Sequence, residues 1–246
     1  MSVAALSVPE ETGTRPSKGD LLVDLRRQIA LLEKNGRGTE GAVRLGIDDI
    51  DRALPEEGLA KGAVHEFLGN AATFLATLIA ARLQGPVLWC LDAARREDPY
   101  GPGLVALGFD PSRLILARCQ GAKEMLWTME EGLRSTALAL VIAEPEADVG
   151  LIESRRLQLA AEAGGTLGLI LREGGDGGRL APSAVASRWR IDPLSGGGWS
   201  VALRRCRGMA VAANEWKVRY DDATGDFALA AKAGDGPVAA DRLSLV

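Results

Sequence analysis

Five short apolar runs at 63–68, 86–91, 113–117, 138–143 and 166–171 punctuate the middle of this chain. Each is separated from the next by a stretch with helical spacing. A continuous apolar run, unlike an alternating one, belongs to a strand covered on both faces, and such strands need crossover helices between them. The intervening segments supply these. Residues 71–83 are almost wholly apolar with one charge, Arg82, in the last turn. A short helix is expected around 100–107, and a second long one over 121–135 on Leu126, Met129 and Leu133. A third, 150–163, stops at Gly164-Gly165. The fold class is therefore α/β, with a mainly parallel central sheet flanked by helices. Beyond residue 172 the rhythm changes. A Gly-rich loop, GGDGG at 174–178, leads into strands expected at 184–191, 198–207, 214–220 and 226–230 with no helices between them. They read as an antiparallel C-terminal extension of the sheet.

The chain has 246 residues, 47% of them hydrophobic, enough for one well-buried core and awkward for two. Residues 1–17 are rich in Ser, Thr, Pro, Gly and Glu and are expected to be disordered. Residues 18–36 read as an N-terminal helix with a stripe of Leu22, Leu25, Ile29 and Leu32, halted at Asn35-Gly36. So narrow a seam docks on a partner or on its own domain. The tail, 231–246, is Ala-, Gly-, Pro- and Asp-rich and reads as flexible. No signal peptide or membrane span is legible, so a soluble cytoplasmic protein is expected.

A net charge of −4 excludes a global basic field drawing the chain onto nucleic acid; any DNA contact needs a local patch. Three scattered cysteines form no CxxC pair, and the single histidine, His65, argues against a His-based metal centre or a Ser-His-Asp triad.

A strand entering an apolar helix through glycine is where a nucleotide-binding α/β protein sets its phosphate loop. GxxxxGK[ST] works because glycines let backbone N–H groups wrap phosphate, lysine neutralises its charge and the hydroxyl holds Mg²⁺. Here the first strand runs into Gly69, Asn70, Ala71, Ala72 and Thr73, and then Phe74 stands at the second glycine, Leu75 at the lysine and Ala76 at the hydroxyl. No lysine falls between Lys61 and Lys123. The loop, around Gly69, Asn70 and Thr73, is degenerate, and no cofactor or metal is expected.

Beyond this loop the likeness to a known core is extended. RLGIDDIDRALPEEGLAKGAVHEFLG (44–69), PVLWCLDAARREDPYGPGLVALGFDPSRLILARC (86–119), LALVIAE (138–144), AVASRWRIDPL (184–194) and WSVALRRCRG (199–208) resemble successive segments of the RecA ATPase core, over 40–230. The resemblance implies relic acidic positions at Asp92 and Glu144. It also marks losses: Ala94 stands where the water-activating glutamate belongs, and Arg172 where a polar residue senses the γ-phosphate. Among RecA relatives without a working loop the chain looks most like the ImuA family, carried by LLVDLRRQIALLEK, GLAKGAVHEF, PVLWC, LWTMEEGLRS, SRRLQLAAEAGG and LRRCRG. That resemblance implies a non-catalytic component of a DNA-damage-inducible mutagenesis complex. Its partners are the polymerase-like ImuB and RecA, with an error-prone replicative-type polymerase engaged indirectly. A SulA-type division inhibitor and a degenerate ATPase stand as alternatives.

Three further features complete the reading. Arg204, Arg205 and Arg207 belong to a basic cluster on the closing strands, with Arg205 and Arg207 on one face and Arg204 on the other. The cluster either receives phosphate or an acidic segment, or is a solvated, salt-bridged face. His65 is expected to be a satisfied, partly buried strand histidine. Trp89 and Trp127 are expected in the core.

Overall fold

A computed structural model of the chain describes residues 41–95, 97–173, 181–211, 214–221 and 226–229. The expected N-terminal helix with Leu22, Leu25, Ile29 and Leu32, the Gly-rich loop 174–178 and the tail from 231 lie outside the described residues. The contact pattern separates 1–37 from 38–246, and all the described residues belong to the second unit.

Its first elements are a two-residue pair, β1 (Ala42–Val43) and β2 (Leu59–Ala60), joined antiparallel around a one-turn helix, α1 (Asp48–Asp51). The fully buried Asp51 carboxylate folds this lead-in by accepting the Leu45 and Gly46 amides at 2.7 and 3.0 Å. The main elements follow in order: β3 (Val64–Leu68), α2 (Ala72–Arg82), β4 (Val87–Asp92), α3 (Gly101–Ala106) and β5 (Leu114–Cys119). After these come α4 (Gly121–Arg134), β6 (Leu140–Ala143), α5 (Leu151–Gly164) and β7 (Leu167–Arg172). The closing strands are β8 (Ser187–Pro193), β9 (Trp199–Cys206), β10 (Asn214–Asp221) and β11 (Asp226–Leu229).

One nine-stranded sheet gathers these strands in the order β11-β10-β9-β8-β3-β7-β6-β4-β5. From β8 to β5 the strands run parallel, and β9, β10 and β11 extend the sheet antiparallel. The sheet thus has the mainly parallel body and antiparallel extension expected, except that β8, expected in the extension, runs parallel to β3, so the extension begins only at β9. Side chains alternate between two cores, as a pleated strand demands. Leu140 and Ile142 of β6, with Leu167, Leu169 and Leu171 of β7, join the core containing α2. Val141, Ala143 and Ile170 join the core containing α4 and α5.

Helix α2 is apolar on nearly every side, so it has to be covered on nearly every side. Leu45, Ile47, Ile50 and Leu54 of the lead-in share its core, which makes burial of its outer turns possible. Its end is held by Arg113, which donates to the Gly85 carbonyl at 2.8 Å and to the Leu83 carbonyl at 2.6 Å. A cation placed on otherwise orphan C-terminal carbonyls satisfies them and opposes the helix dipole. Helix α5 closes on Gly165, whose φ of +71° is the left-handed cap expected of the Gly164-Gly165 pair.

His65 ties the lead-in to the sheet and is almost fully buried rather than partly so. Its Nε2 lies 3.0 Å from the Ala60 carbonyl and its Nδ1 2.7 Å from Ser187 Oγ. A carbonyl can only accept, so Nε2 carries the proton. Ser187 Oγ accepts from Trp189 Nε1 at 2.7 Å and gives its own hydrogen to Nδ1, so each group in the chain is satisfied with a neutral ring. Burial holds this imidazole neutral and lowers its pKa to about 4; the Ala60 hydrogen bond opposes the shift and the charge of Arg207 adds to it.

The unfolded ring takes up a proton near pH 6.5 and the folded one only near 4, so this site's contribution is complete above pH 6.5 and is lost as pH falls between those values. Stability should drop by roughly 2–3 kcal/mol from this source between pH 7 and 4.5. His65 is the chain's one histidine, so urea titrations of wild type and His65→Gln at both pH values isolate the effect. Equal pH dependence in the two proteins refutes it.

Candidate functional site

Open α/β sheets bind ligands in the crevice outside the carboxyl ends of their strands, where neighbouring strands send their connections to opposite faces. Here β4 and β6 are neighbours. After β4 the chain passes to α3, whose Leu104 lies in the α2 core, and after β6 it passes to α5 in the other core. The crevice is therefore at the ends of β4 and β6, with the β3–α2 turn two strands away across β7.

The turn from β3 to α2 consists of Gly69, Asn70 and Ala71. The Gly69 amide donates to the Arg172 carbonyl of β7 at 3.0 Å, and the Ala71 amide donates to the Ile191 carbonyl of β8 at 3.2 Å. Both donors are thus used by neighbouring strands. Gly69 has φ +104°, and a Cβ there would meet the Ile191 carbonyl, so backbone packs directly on backbone at this corner. Asn70 and Thr73 are exposed. Thr73 lends its carbonyl to Thr77 Oγ1 at 2.8 Å. Phe74, at the position of the second loop glycine, stacks on Trp199 of β9 with ring centroids 3.8 Å apart and planes 7° from parallel. The ring that blocks the loop position is thereby fixed to the closing strands.

The acidic positions are engaged by protein. Asp92, at the end of β4, accepts the Ala94 amide at 2.8 Å and shapes its own turn. Glu144, just past β6, accepts Trp89 Nε1 at 2.7 Å through one oxygen and pairs with Arg95 through the other. Arg95 reaches on to Glu173 at 3.3 Å. An arginine thus sits on the Glu144 carboxylate beside the end of β6.

A second charge cluster lies beside it. The Glu66 carboxylate in the middle of β3 is buried, with one oxygen paired to the buried Arg188 of β8 and the other 3.1 Å from Arg172 of β7. Arg172 also pairs with Asp148 at the start of the α5 connection. Two arginines thus face two carboxylates across three strands. The one sequence sign of this cluster was the glutamate inside an otherwise apolar strand, AVHEFL, since a buried charge needs a partner. Its partners, distant in the chain, carried no mark. Among the described residues no group of His, Cys, Asp and Glu is arranged to hold a metal ion. Cys90 is buried, which with neighbouring Cys119 pushes its thiol up to about 12, far from thiolate chemistry at neutral pH.

A register shift between β8 and β9 interrupts the alternation expected at Arg204, Arg205 and Arg207, and two of the three have structural work. Arg205 donates to the Ser183 carbonyl at 2.6 Å. Arg207 approaches Glu162 of α5 at 3.6 Å. Arg204 is exposed. The turn at Gly69, Asn70 and Thr73 and the pair Asp92 and Glu144 therefore lie along one crest of the sheet, and the closing arginines lie elsewhere. Trp89 is buried as expected, whereas Trp127 is 60% exposed on the outer side of α4. Its apolar identity suggested core, but the helix buries Met125, Met129 and Leu133, and 127 falls on the opposite side of the same turns.

Fold and crest together define a class: an α/β protein with a mainly parallel sheet, whose switch-point crevice is lined by internal ion pairs. No family model matches the chain. Two curated proteins do match it, Protein ImuA of Caulobacter vibrioides strain NA1000 / CB15N and Protein ImuA of Caulobacter vibrioides strain CB 15. Each is 35% identical to it over 207 residues, covering 72% of this chain and 83% of the relative. The chain belongs to the ImuA family.

Replacing Glu66 with alanine leaves Arg188 buried without its counter-charge and should cost about 3–5 kcal/mol of folding free energy. Arg52 and Asp49 form an exposed pair 3.1 Å apart, and Arg52→Ala should cost about 0.5 kcal/mol or less. Chemical denaturation of both variants checks the contrast; comparable losses would mean that Glu66 is not the centre of a desolvated cluster.

Proposed function

We propose that this chain is a non-catalytic adaptor built on a RecA-like core with a degenerate phosphate loop, acting in DNA-damage-induced translesion synthesis. In this reading it joins the polymerase-like ImuB and RecA, with the error-prone polymerase reached through ImuB. Membership of the ImuA family supports the pathway, because the resemblance read from the sequence implies a component of the mutagenesis complex.

One observation carries the non-catalytic part. A triphosphate needs several free backbone N–H groups, a lysine and a hydroxyl for Mg²⁺. The turn at this place has three residues, and the Gly69 and Ala71 amides are already bonded to Arg172 and Ile191. Phe74 occupies the next bend of the loop path and is stacked on Trp199. Arg95 sits on Glu144, one of the two relic acidic positions, and Asp92, the other, accepts the Ala94 amide of its own turn. These features support a turn that no longer grips a triphosphate.

A scaffold freed from turnover works through its surfaces. No helix among the described residues is long and apolar enough to cross a membrane, so partners are sought in water.

The full-length chain should co-purify with ImuB and bind RecA-coated single-stranded DNA with or without ATP. Its melting temperature should stay put on addition of ATP and Mg²⁺, since a ligand bound at 100 times its Kd raises stability by about 2.7 kcal/mol. Loss of both associations sinks the adaptor; a saturable ATP-dependent shift instead restores the degenerate-ATPase reading.

A further inference from the structure

The exposure of Trp127 is unusual for its size, and it belongs to a larger pattern. Helices α4 and α5 form the layer over one face of the sheet. On their outer side stand Trp127, 60% exposed, Ile152, 74% exposed, and Leu159, 48% exposed. Ile152 and Leu159 are seven residues apart, two turns along the same side of α5. Between the helices runs a groove of about 570 Å³ with Trp127, Leu126 and Leu157 among its walls. Large apolar side chains gathered on one layer mark an interaction surface.

The order of side chains along α4 says what covers it. Gln120 at the N-cap, then Lys123, Trp127, Glu131 and Arg134, follow at spacings of three, four, four and three and lie on one side of the helix. Trp127 stands at the middle of Gly121–Arg134. When two such helices are laid antiparallel about Trp127, each residue meets the one equally far on the other side of the tryptophan. Trp127 then meets Trp127 of the second copy. Lys123, four residues before it, meets Glu131, four after, and the pair occurs twice by symmetry. Gln120 meets Arg134. Parallel alignment would instead set lysine on lysine and glutamate on glutamate. Lys123 has no ion-pair partner among the described residues, while Glu131 has only the exposed Arg134 of its own helix, at 3.0 Å.

We infer that this face is an isologous interface, in which α4 of one chain pairs antiparallel with α4 of a second copy around Trp127. A twofold contact requires a patch complementary to itself, and this stripe is charge-complementary in one direction only. Ile152 and Leu159 add exposed apolar side chains on the outer side of the adjoining helix. The inference stands apart from the adaptor reading, because it needs neither ImuB nor RecA.

Sedimentation equilibrium on the full-length chain tests it. Wild type should form dimers at micromolar concentration. Trp127→Asp should raise the dimer dissociation constant by more than about 100-fold, because a central aromatic is lost from both sides. K123E and E131K should each raise it by about tenfold, by placing like charges opposite each other at two symmetric positions. The double variant K123E/E131K should restore wild-type association, a rescue that no damage to folding produces. A monomeric wild type at 100 µM overturns the inference, as does association unaffected by Trp127→Asp, or a double variant that adds the defects of its parents. Protection of α4 from hydrogen exchange only when ImuB is added, with the chain alone monomeric, would assign the face to that partner and likewise overturn it.

Discussion

Strand β3 lies beside the junction where the single sheet passes from its parallel body to its antiparallel extension. On one side is β7 and the parallel body; on the other is β8, from which the antiparallel extension grows. Glu66 sits in the middle of β3 and is held from both sides, by Arg172 of β7 and Arg188 of β8. Moving a carboxylate from water into a protein interior costs several kcal/mol unless its partners arrive in good geometry. An apolar strand tolerates a slip of two residues with modest loss. This one does not, because a slip would strand a charge. The four-charge set of Glu66, Arg172, Arg188 and Asp148 is neutral as a whole, so its cost is kept local while it fixes which residues of three strands stand abreast.

The same junction explains the closed crest. Once Arg172 is drawn to Glu66, its carbonyl faces the Gly69 amide, and β8 on the other flank brings the Ile191 carbonyl to the Ala71 amide. Amides that a phosphate loop leaves free are consumed by the strands that hold the turn. Stacking of Phe74 on Trp199 carries this restraint one strand further, to β9. Glu144 beyond β6 is satisfied separately by Trp89 and Arg95. Among the described residues the crest is therefore held together by internal hydrogen bonds and ion pairs.

How much of this was legible in the sequence follows from which forces leave a local trace. Strand and helix positions were readable to within one to three residues, because apolar run length and the glycine stops record burial along the chain itself. The all-apolar α2 could be read as buried, and the missing lysine and glycine at 70–76 predicted the short turn. Pairing was not legible: nothing local in AVASRWRIDPL says that β8 runs parallel to β3, or that Arg188 seeks Glu66 over 122 residues of chain. The two-residue strands β1 and β2 were missed because they are too short to show a period. His65 was rightly read as satisfied but is more deeply buried than expected, since its cover comes from Ala60 of that unseen pair.

Trp127 failed for a different reason, and the reason is informative. Residue type predicts burial only on average, whereas helical phase decides it. Met125, Met129 and Leu133 set the inward side of α4 and leave 127 pointing away, although the sequence around it looks uniformly amphipathic. An outward tryptophan leaves a large apolar area in water that a polar residue at the same position would not. A carboxylate that breaks an apolar strand points inward to a structural partner. Trp127, which breaks a polar helix face, points outward instead. Both departures from the local pattern are visible in the sequence, but only the fold says which direction each of them faces.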